Sequence, residues 1–177
     1  MKKLILLLVL LVFPFWAEAE YHCDKPVGKL AFMVAPSISV TINRTTNHSS
    51  LEIPFPTQWI ESYIIDSGCF ILSELKEADF ILEVVPTVSY TELRSLVMVL
   101  ARSLYINTTV DLYRLRGRSR VGHGSGGSLV AIDETPSVEV YAEEVRNMLS
   151  DTLNKLFYKS LPFLEAGIEP PQLSLSQ

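Results

Sequence analysis

Imidazole and thiol are scarce in this chain: His22, Cys23, His48, Cys69 and His123 are the whole supply. A zinc site draws on closely spaced Cys and His pairs. Only His22 and Cys23 stand close, and adjacent side chains do not converge easily on one ion, so neither a metal nor another cofactor is expected. Excess positive charge is also missing. The formal net charge is −5, whereas nucleic-acid binders gain affinity by neutralising phosphates with clustered Lys and Arg. Nucleic acid is therefore not an expected partner. There is no internal repeat and no low-complexity tract, and after residue 17 no stretch is long and apolar enough to suggest a membrane span.

What is present begins at the front. Met1-Lys2-Lys3 carries positive charge, Leu4 to Phe13 is unbroken apolar sequence, and Pro14 ends the run. Ala17-Glu18-Ala19 then offers small residues at the two positions a signal peptidase reads. Together these are the three parts of a cleavable secretory signal, which places cleavage after Ala19. Leu4 to Ala17 falls short of the roughly 20 residues a helix needs to cross a bilayer. A lipid-anchor signal wants small residues just before its cysteine, but Glu20, Tyr21 and His22 precede Cys23. The expected product is a periplasmic or secreted protein without a lipid anchor. Removing Lys2, Lys3 and Glu18 leaves 13 Lys+Arg against 19 Asp+Glu, a net charge of −6. The remaining length suits one domain, residues 20–164, followed by a flexible tail, 165–177.

An even cysteine pair in an oxidising compartment reads as a disulfide, Cys23–Cys69, rather than two buried thiols. The closed loop of about 47 residues would contribute roughly 4 kcal/mol at most in the chain-entropy picture. It would tie the start of the exported chain to the end of its first helix.

Hydrophobic periodicity orders the rest. Val27–Val34 is an apolar strand bounded by Pro36. Ile38, Val40 and Ile42 alternate with Ser37, Ser39, Thr41 and Asn43, the signature of a half-buried strand, and Arg44–Ser50 reads as a polar loop. Thr57–Ser67 places Trp59, Ile60, Tyr63 and Ile64 on one helical face, with Gly68 at the C-terminal position that favours a left-handed residue. Cys69–Leu72 is a short strand and Glu74–Ala78 a turn. Asp79–Tyr90 is a longer strand in which Pro86 should mark an edge or a bulge. Thr91–Ser103 reads both ways: Leu93, Leu96, Val97, Leu100 and Leu104 suit a helix, while Val97 and Val99 tilt it towards a strand. Leu104–Leu112 alternates cleanly, Arg116-Gly117-Arg118 is a turn, and Ser119–Ile132 is a glycine-interrupted strand. Val138–Leu161 is the longest helix. The expected fold is α+β, a mostly antiparallel sheet with two helices packed on one face.

No catalytic constellation stands out. Gly122-His123-Gly124-Ser125-Gly126-Gly127 has His123 where a nucleophile elbow needs Gly, and it lacks the lysine of a phosphate-binding loop. A serine hydrolase built on Ser125 and His123 is the weaker alternative to glycines that mark a bulge. Glu74/Glu77 and Glu143/Glu144 read as solvated faces rather than acid/base pairs. Asn43, Asn47 and Asn107 begin Asn-x-Ser/Thr triplets; the short Lys-Lys-led leader looks bacterial, so chance triplets are preferred to glycan acceptors.

Several phrases resemble a group of bacterial envelope domains: Val40-Thr41-Ile42-Asn43-Arg44-Thr45, Ser67-Gly68-Cys69-Phe70, Ala78-Asp79-Phe80-Ile81-Leu82 and Val110-Asp111-Leu112-Tyr113, closed by a long helix. The group comprises CsgG-type curli-secretion lipoproteins, LpoB-type activators of peptidoglycan synthases and the N-terminal domain of TolB. LptE-like and ABC-transport auxiliary lipoproteins share much of the pattern. This chain departs from it in lacking a lipid-anchor cysteine and in having too few residues between Tyr90 and Leu104 for a pore-forming insertion. The resemblance implies a non-enzymatic accessory that binds envelope or outer-membrane protein machinery. Leu96, Val97, Val99 and Arg102, with the open sheet face, are the expected partner contacts. A small-ligand or lipid carrier with Leu96–Leu100 lining a groove is the other alternative.

Overall fold

The computed structural model describes residues 21–94, 98–132 and 135–168. The leader, residues 1–19, therefore lies outside the described residues, as do Leu96 and Val97 and the tail from 169. The strands are β1 (Gly28–Met33), β2 (Ser37–Arg44), β3 (Asn47–Pro54), β4 (Phe70–Leu72), β5 (Phe80–Arg94), β6 (Val99–Arg114) and β7 (Ser119–Ala131). The helices are α1 (Thr57–Ser67) and α2 (Val138–Glu165), with a 3-10 turn over Leu75–Glu77.

β5 is the trunk of the sheet. On one side it pairs antiparallel with β6 along its whole length, and β6 continues antiparallel to β7. Its other side is shared: β1 runs parallel to it over Phe80–Glu83 and β2 parallel to it over Val88–Glu92. β4 adds parallel to β1, and β3 folds back antiparallel on β2. The sheet is thus mixed, not mostly antiparallel as expected. The parallel pairs arise because β1 and β2 both run along β5 in its own direction, with Val34-Ala35-Pro36 between them.

That fork explains Pro86, which marks a local edge in the middle of β5 rather than a bulge. It pairs with Thr108 inside the longest ladder, in the interval where β5 has passed β1 and not yet reached β2. A residue with no N–H to donate costs least where one side of the strand has no partner. Arg44–Ser50 is not a loop beyond its Thr45-Thr46 turn, since Asn47–Pro54 completes a hairpin with β2. Thr91–Arg94 belongs to β5 and Val99–Ser103 to β6, so these described parts of the ambiguous segment are strand.

Both helices contribute to one apolar core. Ile60 and Ile64 of α1 and Val145, Leu149, Leu153, Leu156 and Leu161 of α2 bury against Leu30, Val40, Leu82, Val88, Ile106 and Leu112. Tyr63 and Phe157 join the helices ring to ring, centroids 6.0 Å apart. α1 ends at Gly68 with φ +65°, a left-handed cap that L side chains resist. Ser137 caps α2, its Oγ accepting from the Val140 amide. α2 runs past Leu161 and through Pro162 to Glu165, with a turn reaching Ile168.

Candidate functional site

Strand parity divides the long hairpins into two faces. On β5, Phe80, Leu82, Val84, Val88, Tyr90 and Glu92 point into the core. On β7, the face towards α2 is nearly all glycine. A Cβ built on Gly122 would lie 2.5 Å from Ser160 Oγ, and one on Gly124 would lie 3.0 Å from the Thr152 carbonyl oxygen. The glycine run is neither a nucleophile elbow nor a phosphate loop: it lets the helix lie directly on the sheet backbone.

His123 and Ser125, between those glycines, consequently project from the opposite face, which carries neither helix. His123 pairs with Asp111 across β6–β7, and its Nδ1 lies 2.8 Å from Asp111 Oδ1. Arg120 Nη1 donates to the same oxygen at 3.3 Å. Tyr113 and Glu83 complete this charged centre. Partial burial, reinforced by the Asp111 and Glu83 carboxylates, pushes the Tyr113 hydroxyl pKa up. Among the described residues no hydrogen bond joins Ser125 to His123. No three of His, Cys, Asp and Glu converge there as a metal ion would require.

Towards the far end of the same face the chemistry turns apolar. Tyr105 and Leu129 are cross-strand partners, and Leu129 is 71% exposed, the most open large hydrophobic residue described. Leu93 and Met98 are also exposed there. Of the expected contacts, Val99 is half-buried opposite Arg94.

Arg102 is not a free contact, because it closes an ion cluster on the core side. Glu92 is buried, its Oε2 taking Arg102 Nε at 3.1 Å and the Tyr90 hydroxyl at 2.8 Å. Its Oε1 accepts from Arg94 Nε. Thr45, in the β2–β3 turn, accepts the Arg94 amide at 2.8 Å. The two arginines cover the carboxylate and offset the cost of removing it from water. The Arg94 and Tyr90 hydrogen bonds, with that of Arg102, outweigh burial and lower the Glu92 pKa from 4.5 to about 2.

The expected disulfide is formed: Cys23 and Cys69 are bonded, with Cα atoms 4.9 Å apart. The segment before β1 is further held by Cys23 N–H to Ser67 O and Val27 N–H to Cys69 O. Tyr21 donates its amide to Asn154 Oδ1 at 3.0 Å and packs its ring on Tyr158. An open groove lies beside Phe32, Met33, Glu61 and Leu72. No described helix is long and apolar enough to cross a membrane.

No protein-family model matches the chain, and comparison with curated proteins gives no match. Solved structures do give likenesses. A Xanthomonas campestris protein of family DUF330 is 12% identical, covers 84% of this chain and 91% of its own, and has a TM-score of 0.44. A minor lipoprotein from Acinetobacter baumannii is 13% identical over 78% of this chain and 93% of its own, with a TM-score of 0.35. A hypothetical protein from Chlamydia trachomatis is 12% identical over 82% and 96%, with a TM-score of 0.39. None of the three is described as a CsgG-, LpoB- or TolB-type protein. At these scores they neither name a family for this chain nor assign it a function.

Proposed function

We propose that this is an exported, non-catalytic accessory of the bacterial cell envelope, which works by binding a protein partner through the open face of β5, β6 and β7. The observation that carries the reading is the one-sided cover of the sheet. Both helices pack into the core, while the opposite face presents Tyr105 and Leu129 to solvent beside a charged centre. Exposed apolar side chains rimmed by polar groups favour protein contacts. The leader and the disulfide supply the address, since disulfides persist in oxidising compartments.

A photo-crosslinking residue at position 129 tests this in cells, with position 143 on the solvent side of α2 as the control. Adducts to one membrane-associated protein from 129, absent from 143 and lost on Tyr105→Glu, are the expected result. A chain that forms no adduct and purifies as a partnerless monomer would rule it out.

One observation favours a second reading. The Asp111–His123 hydrogen bond lies on the same face as Ser125, which is the raw material of an acyl-transfer site. A serine-reactive probe that labels the wild type and not Ser125→Ala would replace the accessory reading with the hydrolase.

A further inference from the structure

Arg114, Arg116, Arg118 and Arg120 fall within seven residues at the tip of the β6–β7 hairpin, and no acidic residue occurs from Leu112 to Ile132. In a chain of net charge −5 this is a local inversion of sign. Arg114 lies over the Phe80 ring and Arg120 is paired with Asp111. Arg116 and Arg118 are exposed and have no ion-pair partner among the described residues. The nearby acids Glu77 and Glu74 are matched by Lys29 and Lys76, and Asp79, whose carbonyl takes the Leu115 amide, spends its carboxylate on the Lys29 amide.

The backbone supplies a second, independent observation. Arg118 has φ +51°, the only positive φ at a non-glycine residue described. Gly or Asn would occupy that position at less cost, so the turn holds an arginine against its own conformational preference. Strain of this kind collects where a side chain is needed.

The surroundings indicate what the arginines face. Along β7 the contacts with α2 step backwards: Gly126 against Thr152, Gly124 against Thr152 and Leu156, Gly122 against Leu156 and Ser160. Continuing that antiparallel path puts the arginine turn level with the last turn of α2 and the residues just after it. There Lys159, Phe163 and Ile168 are exposed; Glu165, the one acid of that turn, lies towards Tyr21. Tyr21 packs on Tyr158 of the same half of α2, so the amino-terminal end of the described chain also joins the domain along this half of the helix. Cationic side chains around exposed aromatic and aliphatic groups match the headgroup region of an anionic bilayer.

We infer that this end of the domain, the 115–118 turn with the C-terminal end of α2, seats on an anionic phospholipid surface. The open sheet face is then left free for a protein. The inference rests on the export reading but uses a different surface, so its failure leaves the crosslinking result at position 129 untouched.

Flotation of the exported chain with vesicles tests it, comparing phosphatidylglycerol in phosphatidylcholine with phosphatidylcholine alone. Any retained apolar leader binds both compositions, so the difference between them isolates the arginines. The wild type should prefer the anionic vesicles and lose that preference in high salt. Arg116→Ser/Arg118→Ser should lower anionic binding about 30-fold, Arg116→Lys/Arg118→Lys should keep it, and the well-folded Arg118→Gly should lie between. Equal binding to both compositions would overturn the inference, as would a serine pair that binds like the wild type. Binding to soluble polyglutamate as tight as to the vesicles would overturn it in favour of an acidic protein partner. A serine pair that only lowers Tm would assign the arginines to the carboxyl end of α2 and its dipole.

Discussion

Glu92 and Arg102 are direct cross-strand partners on β5 and β6, joined by a 3.1 Å bond from guanidinium to carboxylate on the core side of the sheet. Tyr90, Arg94 and Thr45 converge on the same point, so this cluster fastens the far end of the long hairpin to the β2–β3 turn.

Glu92→Gln should therefore lower Tm at neutral pH. Because the folded pKa is held down, from 4.5 to about 2, the charged form is the stabilising one. Its contribution is complete above pH 4.5 and is lost as pH falls towards 2. The Tm difference between wild type and Glu92→Gln should close across that window. A gap that stays constant from pH 6 to pH 2 would show that packing, not charge, sets it.

Gly124→Ala should cost about 1–3 kcal/mol, since the new methyl meets backbone in α2 and one element must shift. Gly127→Ala, whose nearest neighbours stand at 3.6 Å, should change stability by no more than about 0.5 kcal/mol. Urea denaturation of the two variants side by side checks the difference.

Cys69→Ala, paired with Cys23→Ala to leave no free thiol, should lower stability by about 2–4 kcal/mol. The wild type unfolded in reductant should match the double variant. Equal midpoints with and without reductant would show that the crosslink adds nothing to stability.

Arg118→Gly should raise stability by about 0.5–1 kcal/mol by relieving the positive φ. Thermal unfolding checks this, and a lower Tm would mean that the guanidinium makes a compensating contact.

Much of this architecture was legible in the residues. Alternation marked β2 and β6, a helical stripe and Gly68 marked α1, and the cysteine pair foretold the bond that is formed. β3 was missed because an edge strand facing water on both sides shows little apolar alternation: Asn47, His48, Ser49 and Ser50 are all exposed. The parallel pairs were missed because periodicity reports burial, not strand direction. Glu92 carried a signal that went unread. Extending the inward parity of Phe80, Leu82, Val84, Val88 and Tyr90 by one step places a carboxylate in the core, which demands a cation nearby. The division of His123 and Ser125 from their flanking glycines follows the same period, once the helix that needs those glycines is known.

The disulfide also sets where tension enters the fold. A pull on the chain ahead of Tyr21 meets the Tyr158 and Asn154 contacts first and then Cys23. From Cys23 it divides between the main chain leading to β1 and the sulfur bridge to the junction of α1 and β4. Two neighbouring strands, β1 and β4, thus share any traction, and neither can be peeled from the sheet alone. A domain tugged by its leading end would yield at the α2 contacts before its sheet began to open.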